Sequence, residues 1–130
     1  MAIVGYYIVH YLAGRRDKRK ELNDAAKAFR DAFIPMKQRL RQESIRKIME
    51  IMQTEFPSQD VAMQRFAPYL AGKKLSDFKK LWKEYEEKHD AVKYINPDAD
   101  IMYNNGNKLK SITTEITTLS ENILFFANPR

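Results

Sequence analysis

The sequence has no cysteine, which excludes disulfides, thiolate metal sites and thiol nucleophiles together. Glycine is scarce, four residues in 130, and none is arranged as a phosphate-cradling loop. Two histidines, His10 and His89, are too far apart for a metal or HExxH-type pairing, and no Ser/His/Asp spacing points to a triad. Long apolar runs are missing too. With 31% charged residues and a mean hydropathy of -0.59, a polytopic membrane protein is excluded and one span is the most that the sequence allows. No catalytic residue, metal ligand or cofactor is therefore expected, and the chain reads as non-enzymatic.

What is present in excess is positive charge, and its position matters more than its size. The formal net charge is +6. Residues 1–50 hold 12 Lys/Arg against 6 Asp/Glu, whereas residues 51–130 hold 11 of each. The whole excess thus lies in the first part of the chain. There the apolar run of residues 2–13, AIVGYYIVHYLA, meets Arg15, Arg16, Asp17, Lys18, Arg19 and Lys20.

An apolar segment with a basic cluster on one flank follows the positive-inside pattern, which places the cluster and the remaining chain in the cytoplasm, at an inner (cytoplasmic) membrane. Ile3, Val4, Tyr6, Tyr7, Ile8, Tyr11 and Leu12 are the expected anchor residues, with the tyrosines at the interface. Arg15, Arg16, Lys18, Arg19 and Lys20 are the expected lipid-headgroup contacts. Twelve helical residues span about 18 Å against a hydrocarbon core of about 30 Å, so the segment cannot cross a bilayer alone. It reads first as the inner half of a span; the alternatives are an interfacial anchor and a buried helix. Basic residues that follow the apolar stretch argue against a secretory signal.

Further along, periodicity predicts helices throughout. Leu22, Ala25, Ala26, Phe29, Ala32, Phe33 and Met36 recur at spacings of three and four, continuing the anchor into a juxtamembrane helix that Pro35 should end or kink. A second helix is expected through Leu40, Ile45, Ile48, Met49 and Met52, ending near Phe56 and Pro57. A third should be capped by Ser58 and bent at Pro68. After Gly72, the stripe of Leu75, Phe78, Leu81, Trp82 and Tyr85 is the expected centre of the core. Residues 90–107 read as a polar loop with one short helical turn. Leu109, Ile112, Ile116, Leu119, Ile123 and Phe126 form an a/d seam on a last helix, a candidate self-association face. The resulting architecture is all-α: a long N-terminal helix, anchor plus juxtamembrane, followed by about four bundled helices. Its divisions are anchor 1–14, basic juxtamembrane helix 15–36 and helical bundle domain 37–130.

The residues from Arg15 to Glu21 with Asn23, Ala25, Ala26, Phe29 and Phe33, then Phe66 to Leu70, then Phe78 with Trp82 and Tyr85, resemble the pattern of an uncharacterised group of small bacterial proteins. Members of that group have one N-terminal transmembrane helix and a helical cytosolic domain. The resemblance implies an architecture and supplies no activity.

The other charged groups fit a solvated surface better than a second site. Glu84, Glu86 and Glu87 with Lys80, Lys83 and Lys88 suit i,i+4 ion pairs on a solvated face. Lys73, Lys74, Lys79, Lys80 and Lys83 around Phe78 and Trp82 suit a single-stranded nucleic-acid patch only if those rings face outward, and the shared stripe turns them inward. The expected partners are membrane lipid and a protein partner or second copy, with nucleic acid disfavoured and no small-molecule substrate. The alternative is a soluble basic helical protein of phage or mobile-element type that binds nucleic acid. An enzymatic reading would need the fold to gather His89, Glu86 and Asp90 in one pocket.

Overall fold

A computed structural model describes residues 18–128, and all regular structure among them is helical. Residues 18–31 form α1, followed by α2 (Ile34–Gln42), α3 (Ile48–Phe66), α4 (Gly72–Val92), α5 (Pro97–Asn104) and α6 (Asn107–Leu124). Short 3-10 turns at Ile45–Lys47, Ala67–Tyr69 and Phe125–Ala127 join or finish them.

Alanine-rich α1 has neither Gly nor Pro, so intrinsic propensity favours the helix along its whole length. Its inward stripe of Ala26, Phe29 and Phe33 continues to Met36 on α2, all four buried. The chain turns at Ala32–Phe33, slightly before Pro35, because Pro35 lacks an amide donor and settles in the first turn of α2, where none is required. The helix expected to run from 15 to 36 therefore ends short of that boundary.

Three expectations about the middle of the chain are corrected. The expected second helix is interrupted at Glu43–Ser44, separating α2 from α3. Pro57 does not end α3, and Ser58 is not a cap: both lie inside one 19-residue helix. Pro57 faces solvent, while Ile51 and Met52 before it and Gln59 and Phe66 after it are buried. Packing on both sides outweighs the one hydrogen bond that proline removes. Residues 90–107 are more ordered than a polar loop: α4 runs on to Val92, and Asn96 caps α5 by accepting from the Ala99 amide at 3.1 Å.

The core is aromatic. Phe29 meets Phe66 at 5.2 Å, Phe78 at 5.7 Å and Trp82 at 6.4 Å between ring centroids, and Phe33 meets Tyr85 at 5.8 Å. These registers make α4 parallel to α1 and α3 antiparallel to it. On the other side of α4, Phe78 meets Phe126 at 5.6 Å and Lys88 pairs with Glu115 at 2.9 Å, so α6 is antiparallel to α4. Among α2 to α6 the α4–α6 pairing is the most extensive. It consumes the expected self-association seam: Leu109, Ile112, Ile116 and Ile123 are all buried within the chain.

The bundle consequently has two distinct ends. One carries the starts of α1 and α4, the 3-10 turn Ala67–Tyr69 and the end of α6. The other carries α5, the start of α6 and the end of α4.

Candidate functional site

Of the expected headgroup contacts, Lys18, Arg19 and Lys20 lie at the start of α1 and are exposed. Arg15 and Arg16 lie outside the described residues, as do the anchor residues Ile3, Val4, Tyr6, Tyr7, Ile8, Tyr11 and Leu12. No helix among the described residues is long and apolar enough to cross a membrane.

The start of α4 adds cations at the same end. Lys73 and Lys74 follow Gly72, whose φ of +58° suits a residue without a Cβ. Both are exposed, as are Lys79, Lys80 and Lys83. None of the five lies within ion-pair distance of a carboxylate among the described residues. The expected i,i+4 pairing along α4 gives way to a tertiary one, since Lys88 reaches Glu115 on α6. The rings between the lysines face inward as expected: Phe78 is fully buried and Trp82 is 4% exposed, its indole N–H donating to Glu86 Oε1 at 2.9 Å. Bases could not stack on them without opening the core.

His89, Glu86 and Asp90 do line one depression, about 510 Å³ in volume, between α3 and α4, with Met52, Phe56 and Pro57 among its other walls. Their chemistry is separate, however. Glu86 accepts from Trp82, and Asp90 pairs with Lys93 at 3.0 Å. His89 is 8% exposed and packs against Phe56 at 4.7 Å and Tyr85 at 4.4 Å. Its Nε2 has no hydrogen-bond partner among the described residues, and burial lowers its pKa to about 4, so the ring is neutral at physiological pH. General-base chemistry needs an oriented base beside the proton it takes, and neither carboxylate orients this ring. His89 acts as a flat aromatic member of the core. No cluster of three or more His, Asp or Glu among the described residues is placed to hold a metal ion.

Two buried polar arrangements were not legible in the sequence. Gln59, fully buried, accepts from the Tyr85 hydroxyl and donates from Nε2 toward Met36 Sδ at 3.3 Å. Burial pushes the Tyr85 phenol far above its ordinary range, only partly offset by Gln59, so it stays a donor. These three residues are remote in sequence, and no local pattern links them. The second is Asp100, 3% exposed, whose carboxylate accepts the amides of Lys108 at 3.1 Å and Leu109 at 2.9 Å. It caps α6 from α5, satisfying donors that the left-handed Gly106 at the N-cap cannot reach. The Asn-Asn-Gly run signals this turn, but not the buried carboxylate behind it.

Comparison with family models, with curated proteins and with solved structures finds no match to this chain.

Proposed function

We propose that the chain is a membrane-associated, non-enzymatic helical protein that holds its domain at the cytoplasmic face of an inner membrane and acts by binding a protein partner or a second copy. The observation that carries this reading is positional: a basic cluster that supplies most of the charge excess directly follows an apolar run, and its described members, Lys18, Arg19 and Lys20, stand exposed at the start of α1. The resemblance to small bacterial single-span proteins supports the same architecture, in which α1 continues the anchor. At the opposite end of the domain, Tyr94, Met102 and Tyr103 are 84%, 73% and 78% exposed, where a cytoplasmic partner would have access.

Fractionation of the expressed chain beside a version lacking residues 1–13 tests the proposal. The full chain is expected to stay in the membrane pellet through a high-salt and then a carbonate wash, while the shortened chain is soluble and helical. A full chain soluble without detergent overturns it. The five exposed lysines of α4 favour one second reading, binding to nucleic acid. It requires an association whose logarithm falls linearly with the logarithm of salt concentration.

A further inference from the structure

The charges of α4 are sorted along its axis. From Lys73 to Lys83 the helix carries Lys73, Lys74, Lys79, Lys80 and Lys83 against Asp77 alone; from Glu84 to Asp90 it carries Glu84, Glu86, Glu87 and Asp90 against Lys88. A helix is stabilised by the reverse order, with acids near its positive N-terminus and bases near its C-terminus. There is no acidic residue in the first turn of α4, so helix stability does not account for the lysines there. The parallel packing of α1 and α4 does give them a setting, because it brings them to the end of the bundle where Lys18, Arg19 and Lys20 stand. Exposed apolar groups share that end. Phe125, next to the core residue Phe126, is 73% exposed, and Tyr69 is 39% exposed.

We propose that this end of the bundle docks on the anionic lipid surface, with Lys73 and Lys74 among the headgroups and Phe125 and Tyr69 entering the interface. The proposal rests on the membrane reading above and adds an orientation to it: α1 and α4 stand with their starts toward the lipid. Basic groups beside aromatic ones fit a surface that offers phosphates over a hydrocarbon boundary. Glu21 and Asp24 on α1, Asp77 on α4 and the exposed Glu121 near the end of α6 are the carboxylates toward this end, and against Lys18, Arg19, Lys20, Lys73 and Lys74 they leave it net positive. Ten residues of helix separate Lys74 from Glu84, about 15 Å, which exceeds the screening length of about 8–10 Å at ordinary ionic strength. The acidic half of α4 therefore does little to mask Lys73 and Lys74.

Because the chain has no cysteine, a single introduced one gives a unique label. The full chain carrying S76C or S111C, both exposed positions at opposite ends, would be labelled with a fluorophore. It would then be mixed with phosphatidylcholine vesicles, with or without phosphatidylserine, that hold a quencher at headgroup depth. Position 76 is expected to be quenched in phosphatidylserine vesicles and position 111 not. K73Q/K74Q should lower the docked population about tenfold or more, since each basic residue near such a surface is worth roughly fivefold. The same charge change at the far end, K108Q/K110Q, should leave it unchanged.

If the chain sediments with vesicles but both positions are quenched alike, the orientation is overturned and the anchor reading stands. A chain that does not sediment with vesicles at all overturns both. Binding to a labelled oligonucleotide that K73Q/K74Q abolishes, without quenching at position 76, assigns the lysines to nucleic acid and also overturns the proposal.

Discussion

The two ends of the bundle are built from different forces. At the end with α5, directional polar contacts fix the backbone: Asp100 caps α6, Arg46 pairs with Asp98, and Lys88 pairs with Glu115. Gly106 is locked there as well, since a Cβ on it would lie 2.7 Å from Ile45 Cδ1 at a φ of +73°. At the end with the starts of α1 and α4, the aromatic cluster around Phe29 and Phe78 supplies most of the cohesion, with Arg30 donating to the Ala127 carbonyl, and Lys18, Arg19, Lys20, Lys73 and Lys74 project outward without a carboxylate partner among the described residues. Charges that stabilise the fold are found paired or capping; charges left free are available for a ligand. The contrast makes stability and function separable by mutation.

The aromatic side of the comparison should give the largest effect. Trp82→Ala removes a side chain packed against Phe29, Phe56 and Tyr85 and leaves Glu86 without its indole donor. A loss of about 3–5 kcal/mol is expected in denaturant titration, as for other large-to-small core changes. A small loss would mean that the stripe is a binding face instead of a core.

Next in size is the response to acid. His89 has its folded pKa lowered to about 4 by burial, from 6.5. Its contribution is therefore complete above the unfolded value and is lost as pH falls from about 6.5 toward 4, because the unfolded chain takes up the proton first. The loss attributable to this ring is up to about 3 kcal/mol. Glu86, Glu87, Asp90 and Lys93 are the charged groups that line the same depression. His89→Phe keeps the tilted and edge-on ring contacts with Phe56 and Tyr85 and should flatten the stability profile between about pH 6.5 and 5. A profile with the same slope in that variant would locate the acid sensitivity elsewhere.

Asp100→Ala probes the polar end. It leaves two amides at the start of α6 without their acceptor in a buried setting, and a loss of about 2 kcal/mol is expected, with early amide exchange in α5 and the first turn of α6. Exchange spread evenly over the molecule would show that the corner is not a separate unit.

Lys79→Ala, at an exposed and unpaired position, should change stability by less than about 0.5 kcal/mol. A larger loss in a thermal melt would mean that the charges of α4 are structural after all.

Much of this was legible from local pattern. Spacings of three and four marked α1, α4 and α6, and placed Phe29, Phe78, Trp82, Tyr85 and Ile116 inside, because one helix face must leave water. One proline misled, whereas Pro35 marked the break between α1 and α2. Pro57 reads as a stop, yet α3 passes through it, since the exposed side of a helix tolerates a missing hydrogen bond when both flanks are buried. Ser58 reads as a cap only if that stop is assumed. The acidic and amide-rich stretch before α6 reads as loop because the cap on α6 is supplied by a carboxylate from another helix.

The helical class and the inward aromatic stripe follow from residue order, because each depends on neighbours within a few residues, and the confinement of excess charge to the first part of the chain is a matter of composition alone. The pairing of Gln59 with Tyr85, the burial of the a/d seam of α6 and the meeting of the basic starts of α1 and α4 at one end arise only on folding. Those depend on which helices run parallel, a choice made by packing between residues far apart in the chain.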